Sequence, residues 1–448
     1  MDASPELRTS ASRGSGRFPA EVSGLVRSLS LAVALEWAGA GAILPLLPLY
    51  VKDHGGSDGV VGAVMAAYFA AAFVFQYGAG RMSDRLGRLP VLVGGLLVYA
   101  GGSLLFLVPG PAAFDVVFRA LQGAGAGASM VSSLAMLAHA VPLAYRGRAS
   151  GRIYGAQLGG LAVGPVLGSL AGVGAMRWLF IAAGVVSVAA VVPVLRAGHD
   201  AAVLEAAAGA GEEPPVRPAD VGDPARGAAR EATVAPREEW RGGWAFPRTT
   251  AARAVWGAFL ASAAIGLTTG VYESCWTLLM TRLGAASWQV GVSWTLFALP
   301  FALMSRPAGW LADHFDRRWL GIAALVWTLG FCAGYPFVPG VVLLMVLGIW
   351  ESAGFALALP ATQSLLGEGT PSERHGHVQG LFAASQTGAT AVAAAASGAL
   401  FGVAPWLPFE LVAGCCAVIL TFVALAWRGV PGRVTAHRTR VAPVDAGA

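Results

Sequence analysis

The chain has 448 residues, of which 56% are apolar and only 12% are charged. A soluble domain carries about 25% charged residues, so most of this chain cannot form a soluble surface. The net charge of +5 does not indicate nucleic-acid binding, because the arginines are dispersed among short segments between long apolar runs. These runs recur from end to end and predict a polytopic all-α membrane protein.

We predict twelve transmembrane helices in two groups of six. The boundaries follow the apolar runs and the polar or Gly/Pro-rich segments between them. The predicted spans are residues 28–51, 58–80, 89–109, 113–138, 149–173, 177–196, 253–281, 288–311, 319–338, 340–366, 376–402 and 406–428.

The segments outside the spans have the composition of tails and linkers. Residues 1–27 form a predicted disordered tail, residues 197–252 a linker rich in Pro, Arg and Glu, and residues 429–448 a second tail. The predicted domains are therefore an N-terminal six-helix bundle of residues 28–196 and a C-terminal bundle of residues 253–428.

The positive residues predict the orientation in the membrane. With the N-terminus in the cytoplasm, only Lys52, Arg177 and Arg282 of the 30 lysines and arginines lie on the other side, and Arg119 lies inside a span. Cytoplasmic loops carry an excess of Lys and Arg in membrane proteins. We therefore expect a multi-pass protein of the cell (plasma or inner) membrane with both termini in the cytoplasm.

The two groups of helices are related by a sequence repeat. Asp84 and Asp313 are 229 residues apart, as are Arg88 and Arg317. Six predicted helices separate the two copies, so both copies have the same orientation in the membrane. A parallel repeat of two halves is an architecture of transporters that bind their substrate between the halves.

Short motifs in the first half carry a family resemblance. Residues 80–88 fit the pattern G-x-x-x-D-R-x-G-R, and residues 119–123 fit R-x-x-Q-G. Residues 155–168 resemble a pattern that ends G-P-x-x-G-G, with Ser169 in place of the last glycine. These motifs resemble the signatures of the major facilitator superfamily of secondary transporters, and the resemblance covers nearly all of residues 28–428.

Two details of the resemblance indicate a branch of that family. The pattern around Pro165 in helix 5 is typical of antiporters, and Pro45-Leu-Leu-Pro48 in helix 1 resembles the drug-efflux branches. The resemblance therefore implies a drug:proton antiporter that works by alternating access.

The motif of residues 80–88 and its copy imply a gate. In the family reading, Asp84 meets the positive N-terminus of a neighbouring helix and holds one conformation closed. The residues alone also allow a solvated turn that fixes topology by its positive charge. The second copy has Asp316-Arg317-Arg318 instead of the Asp-Arg pair, so we expect the first copy to be the gate. The predicted gating residues are Gly80, Asp84, Arg85, Gly87, Arg88, Asp313 and Arg317.

Carboxyl groups inside predicted spans are candidates for proton and substrate binding. Glu36, Glu273 and Glu351 lie in helices 1, 7 and 10. A charge at that depth is costly, so each should face a cavity or a polar partner. Glu273 lies between Tyr272 and Trp276, an aromatic setting that suits an organic cation. The alternative for each is a structural carboxylate bonded to a neighbouring helix or near water.

Arg119 in helix 4 also needs an anionic partner or a wet cavity. Asp115 is one helical turn away and could pair with it. The R-x-x-Q-G resemblance implies instead that Arg119 and Gln122 line the cavity and influence proton transfer. Both interpretations are retained. Under the 229-residue shift Gln122 aligns with Glu351.

Helix 5 carries small residues at helical spacing. Gly160 and Gly164 form a face for close helix packing, and Pro165 can bend the helix. The resemblance implies that this bend, with Gly168, limits leakage in antiporters. Packing alone is the alternative.

Together these features predict a proton-coupled efflux antiporter of small lipophilic or cationic compounds, acting as a monomer in the lipid bilayer. A symporter or uniporter for a sugar, peptide or organic acid is the alternative, and a non-transporting sensor or enzyme is a distant one. The sequence has no G-x-x-x-x-G-K-[ST] loop for ATP and no nucleophile or metal constellation. We therefore expect no cofactor, no metal, no enzymatic activity and no nucleic-acid partner.

Overall fold

A computed structural model describes residues 18–210, 249–370 and 375–432 of the protein. Most of the predicted tails and most of the predicted linker lie outside these ranges. The described residues are all-helical, and twelve long helices are numbered here in chain order. They are α1 Ala20–Ile43, α2 Asp58–Leu86, α3 Arg88–Leu105, α4 Phe114–Ala140, α5 Leu143–Ala171, α6 Met176–Ala210, α7 Thr250–Arg282, α8 Ser287–His314, α9 Arg317–Gly334, α10 Val341–Glu368, α11 His375–Val403 and α12 Leu407–Trp427. A short helix, Leu47–Asp53, follows α1 and is called the cap helix below.

Nine of these twelve helices are long and apolar enough on their own to cross a membrane, counted over the described residues. The other three are α4, α8 and α11. Each packs on two other helices: α4 lies against α2 and α3, α8 against α5 and α10, and α11 against α2 and α7. Neighbouring helices shield their polar groups from lipid, as a membrane interior requires.

The two halves of the chain repeat one packing scheme. In the first half α1 packs on α5 and α6, and α4 packs on α2 and α3. In the second half α7 packs on α11 and α12, and α10 packs on α8 and α9. Helices α3 and α9 begin 229 residues apart and also end 229 residues apart. The prediction of two pseudo-symmetric six-helix bundles is confirmed.

The halves meet along two equivalent seams, α2 with α11 and α5 with α8. The face that carries the α1–α2 and α7–α8 connections is called the opposite face, and the face that carries the α2–α3 and α8–α9 turns is called the chain-end face. The close contacts between the halves lie towards the opposite face. At the opposite face, a Cβ added to Gly62 would lie 2.9 Å from the Cα of Gly398. On the other seam, the Thr295 hydroxyl donates to the Ala162 carbonyl at 2.6 Å.

The seams are looser towards the chain-end face. Gly78 and Gly80 on α2 and Gly380 on α11 would have no neighbour within 4 Å of an added Cβ. On α5, Gly151 and Gly155 are equally open. The halves are thus closed at the opposite face and parted at the chain-end face.

Several helix boundaries differ from the predicted spans. Helix α1 begins at Ala20 instead of residue 28, because Val22, Leu25 and other apolar side chains of that turn pack into the first half. It ends at Ile43, where Pro45 and Pro48 interrupt the helical hydrogen bonds predicted to continue to residue 51. Helix α6 continues to Ala210, beyond the predicted start of the linker, through an alanine-rich segment.

Candidate transport site

Arg119 is the centre of a buried network in the first half. The side chain is 2% exposed, and its Nη1 donates to Gln122 Oε1 at 2.8 Å. Its guanidinium lies 4.3 Å from the centre of the Tyr68 ring. Gln122 Nε2 in turn donates to Ser103 Oγ at 2.9 Å. Helices α2, α3 and α4 therefore hold the one charge of this network in a fixed place.

The alternative pairing of Arg119 with Asp115 is not found in this conformation. Asp115 Oδ2 is buried without a hydrogen-bond partner, and Arg119 bonds Gln122 instead. The Nε of Arg119 is also buried without a partner.

Glu36 lies beside the same network. It is 5% exposed on α1, and the Ser129 hydroxyl of α4 donates to its Oε1 at 2.7 Å. Tyr68 and Tyr99 are each within electrostatic reach of both Glu36 and Arg119. A buried carboxyl with one hydroxyl donor and a nearby fixed cation can exist with or without a proton at modest reorganisation.

The second half holds a different arrangement around Glu351. This carboxyl is 2% exposed on α10, and two tyrosines donate to it: Tyr272 to Oε1 and Tyr335 to Oε2, each at 2.6 Å. The rings of Tyr272, Tyr335 and Trp276 form an edge-to-face cluster with centroids 5.0 to 6.0 Å apart. The short bonds are those expected of hydroxyl donors on a charged acceptor.

Glu273 is the carboxyl that lacks such partners. It is partly buried on α7, and its Oε2 is inaccessible to water yet accepts no hydrogen bond from the described residues. It lies within electrostatic reach of Arg119 in the other half. An unbonded carboxyl oxygen is costly when charged, so a proton or a cationic solute would be stabilised there.

The structure thus brings Glu36, Arg119, Gln122 and Glu273 to one region between the halves. Glu351 is linked to that region through Tyr272, the chain neighbour of Glu273. Gln122 and Glu351, which the repeat aligns, each lie near one equivalent residue: Gln122 bonds Ser103, and Glu351 lies in electrostatic reach of Cys332, the residue 229 positions after Ser103.

Five residues of this region were not singled out by the sequence: Tyr68, Tyr99, Ser103, Ser129 and Tyr335. Ser129 follows Gln122 by two helical turns, so helical spacing places both on one face of α4. That signal could have identified Ser129 as a cavity residue. Tyr68 and Tyr335 carry no comparable signal, because an aromatic residue in an apolar helix is usually a packing residue.

The first gating motif is mostly helical. Helix α2 continues through Leu86, so the predicted tight turn of residues 80–88 reduces to Gly87, whose φ of +91° favours glycine. Arg81 Nη2 donates to the Tyr77 hydroxyl at 2.9 Å. Arg85 is exposed near the end of α2, and Arg88 begins α3. The side chain of Asp84 lies outside the described part of the structure, so its contact with a neighbouring helix stays a prediction.

The second copy of the motif forms a different turn. Asp316 caps α9 by accepting from the Arg318 backbone N–H at 3.0 Å, and the Arg318 side chain donates to both of its carboxylate oxygens at 3.0 and 2.6 Å. Arg317 is buried and its Nε donates to the Ala312 carbonyl at 2.8 Å. Gly309 lies within α8, and the side chain of Asp313 is not described.

The glycines of helix 5 pack against α1. A Cβ at Gly160 would lie 2.7 Å from the Ala34 carbonyl, and one at Gly164 would lie 2.9 Å from the Ala42 nitrogen. Gly168 would contact Ala42 still more closely, and Pro165 lies inside α5. The predicted small-residue packing face is present. A role of this helix in antiport stays a prediction.

Two pseudo-symmetric bundles of six membrane-length helices with buried charges between them define a polytopic membrane transporter. A sequence model of the Major Facilitator Superfamily matches residues 29–274 and 255–444. The chain belongs to the major facilitator superfamily, whose members are multi-pass membrane transporters of small molecules.

Two curated relatives match part of the chain. It is 36% identical over 155 residues to the uncharacterized MFS-type transporter Rv1877 of Mycobacterium tuberculosis, covering 34% of this chain and 22% of that protein. It is 29% identical over 163 residues to Multidrug resistance protein 2 of Bacillus subtilis, covering 36% of this chain and 41% of that protein. The matched segments are thus less than half the length of these curated relatives.

A solved peptide transporter POT has a similar fold. The two structures share 15% sequence identity, with a TM-score of 0.68 over 91% of this chain and 94% of the other. At this identity the likeness is one of fold.

Proposed function

We propose that this transporter is a proton-coupled antiporter that exports small lipophilic or cationic compounds. The observation that carries the proposal is a set of three carboxyls around the interface: Glu36 and Glu351 are buried, and Glu273 is partly buried and lacks a hydrogen-bond partner at Oε2. Multidrug resistance protein 2, a relative by sequence, supports the substrate class.

Competition between a proton and a cation accounts for the coupling. When Glu273 is ionised, a cationic solute gains a negative partner and the aromatic faces of Tyr272 and Trp276. When a proton binds, the carboxyl becomes neutral and the cation loses its partner. The guanidinium of Arg119 keeps the balance of charge unfavourable to a cation once the carboxyls are neutral.

Alternating access supplies the direction. We take the chain-end face as cytoplasmic, from the distribution of Lys and Arg. The parted chain-end face then admits a solute from the cytoplasm. Rocking of the halves about the α2–α11 and α5–α8 seams would expose the site to the other side. The protein would act as a monomer, since each chain contains both halves of the site.

One observation favours a second candidate, the import or exchange of an anionic solute such as an organic acid or a peptide. Arg119 Nε is a buried donor with no partner in the described structure. A carboxylate of a solute could accept from it and form a charge-assisted bond.

The test uses purified protein in liposomes with an imposed pH gradient. Uptake of ethidium is followed for the wild type and for Glu36→Gln and Glu273→Gln. The control is Glu410→Gln, which removes a partly exposed carboxyl from the first turn of α12, a helix that forms neither seam. We expect gradient-driven uptake to fall about tenfold or more in both site variants, as for the loss of about 1.4 kcal/mol, and to persist in the control.

Two results would contradict the proposal. If the pH gradient does not change transport by the wild type, transport is not coupled to protons. If both site variants remain coupled to the gradient, Glu36 and Glu273 do not take part in the coupling. Competition of ethidium uptake by organic acids, but not by lipophilic cations, would favour the second candidate.

A further inference from the structure

Asp115 is a buried carboxyl that the site described above does not use. It lies in the first turn of α4, at the opposite face, and is 6% exposed. Its Oδ2 is inaccessible to water and accepts no hydrogen bond from the described residues. The N-terminus of α4 favours a carboxylate in its first turn, but a buried oxygen without a hydrogen-bond partner is destabilising when the group is charged.

The cap helix lies beside Asp115, with Tyr50 and His54 within electrostatic reach of the carboxyl. Tyr50 of the cap helix packs edge-to-face on Phe180, with ring centroids 5.1 Å apart, and its hydroxyl donates to the Phe106 carbonyl at 3.2 Å. His54, which ends the cap helix, lies against Tyr50 with ring centroids 4.1 Å apart. His54 itself is exposed to solvent.

The titratable and charged groups around Asp115 come from two elements. Tyr50 and His54 of the cap-helix segment are both within its electrostatic reach. Arg119 is on the same face of α4, about 6 Å further along the axis. The ion pair of Lys52 with Asp58, at 2.9 Å, lies at the surface of the same connection. Asp115 thus has an exposed histidine on its outer side and the buried arginine on its inner side.

One face of α4 continues from Asp115 to the proton site. Its buried polar residues at helical spacing are Asp115, Arg119, Gln122 and Ser129. Ser129, which bonds Glu36, is about 21 Å from Asp115 along the helix axis. The stripe therefore runs from the opposite face to the middle of the bundle. It is a stripe of buried polar side chains within the first half.

The cap helix is anchored to the other half of the molecule. The Thr277 hydroxyl of α7 donates to the Pro45 carbonyl, immediately before the cap helix, at 2.9 Å. The equivalent segment of the second half is not separate, because α7 continues unbroken to Arg282. When the halves part at the opposite face, Thr277 must leave Pro45 and the cap helix loses this anchor.

We propose that Asp115 is a proton-exchange group of the opposite face, covered by the cap helix in the described state and uncovered when that face opens. In the open state a hydronium ion gives its proton to the Asp115 carboxylate and leaves as water. Asp115 returns to the carboxylate when the proton passes, through water along the α4 stripe, to the carboxylate of Glu36. This inference rests on the proposed proton coupling.

The test separates coupling from transport itself. Proteoliposomes containing the full chain are assayed with ethidium in two ways: accumulation driven by a pH gradient, and counterflow, which needs no net proton movement. The variants are Asp115→Asn, Asp115→Glu, which keeps a carboxyl, and Asp53→Asn, which removes an exposed carboxyl at the end of the cap helix. Thermal unfolding of each purified variant shows whether it is folded.

We expect Asp115→Asn to lose about tenfold or more of its gradient-driven accumulation while counterflow persists. Asp115→Glu should restore accumulation, and Asp53→Asn should behave as the wild type. If Asp115→Asn still accumulates ethidium in response to the gradient, the role of Asp115 is overturned while the proposed antiport stands. The role of Asp115 is also overturned if Asp115→Asn and Asp115→Glu are both folded and lose counterflow equally. A wild type that ignores the gradient overturns the proposed function, and the relay with it.

Discussion

The contact of Gly62 with Gly398 predicts that one added methyl group will shift the conformational equilibrium. In the described state the Cβ of Gly62→Ala would lie 2.8 Å from the Ala394 carbonyl and 2.9 Å from the Cα of Gly398. Both neighbours are backbone atoms of α11, so they cannot turn away as a flexible side chain would. Relief requires α2 and α11 to separate at the opposite face.

The magnitude follows from the cost of overpacking, which is about 1–3 kcal/mol for a methyl group inserted into a packed interior. If this penalty applies only to the state that is closed at the opposite face, the ratio of that state to the state open there falls by about 5- to 150-fold. Gly59, one turn earlier on α2, supplies the matched control. A Cβ there would meet only ordinary contacts, 3.7 Å from Ser57 Oγ and 3.9 Å from Ala399 Cβ.

The assay reports closure on the second seam, away from the substitution. Thr295→Cys and Ala162→Cys are combined in a Cys415→Ser background, because Cys415 is the exposed one of the four cysteines. Disulfide formation between the new cysteines is expected to slow in Gly62→Ala and to remain at its original rate in Gly59→Ala. Equal rates in the two variants would refute a rigid seam, because they would show that α2 and α11 absorb the methyl group locally.

Three further predictions concern single contacts. Tyr335→Phe should lower the thermal unfolding midpoint, because Glu351 loses one of its two hydrogen bonds, worth about 1.5–3 kcal/mol when the acceptor is charged. Gly164→Ala should lower it through about 1–3 kcal/mol of overpacking between α5 and α1. Asp316→Asn should remove an acid-sensitive contribution: the hydrogen bond from the Arg318 side chain lowers the pKa of Asp316, so the stabilisation is present above the unfolded-state pKa and is lost as the pH falls through the folded-state pKa.

Each of these has a matched control, and all unfolding midpoints are compared at one heating rate. Tyr154→Phe removes a hydroxyl from an exposed tyrosine and should have no effect. Gly159→Ala adds a methyl where no atom lies within 4 Å. For Asp316→Asn the readout is the difference from wild type across the acid range. A difference that stays constant with pH would show that Arg318 does not stabilise the ionised form.

The fold could be predicted because the repeat and the membrane-length apolar runs are patterns along the chain, which can be read without knowing which helices touch. The 229-residue offset predicted which helices correspond, and it aligned Gly62 with Gly291, which the structure places at equivalent points of the two seams. The partners at those points, Gly398 and Ser169, could not be predicted. Their proximity depends on how the two bundles face each other, which no local pattern encodes.

The same limit applies to the candidate site. Charge inside an apolar run identified Glu36 and Arg119, because a buried charge is costly anywhere in a membrane. The donor to Glu36, Ser129, is 93 positions away in the chain, and a serine in an Ala/Gly-rich helix has no such cost to mark it. The pairing of Arg119 with Asp115 was plausible from helical spacing. In the structure Gln122 takes the place of Asp115 because its amide oxygen reaches Nη1 from the deeper side.

The two halves share one packing scheme but differ in the chemistry at equivalent positions. The turn that Gly87 makes in the first half is a capped helix start at Asp316 in the second, and the break before the cap helix has no counterpart in α7. Gln122 holds a fixed cation, whereas Glu351 at the aligned position is held by two tyrosines. Equal packing lets both seams move together, since a change of angle at one is matched at the other. Because the polar side chains differ between the halves, rocking of the halves changes the surroundings of charged groups in both halves at once. The free energy of this rocking therefore depends on whether those groups are neutralised.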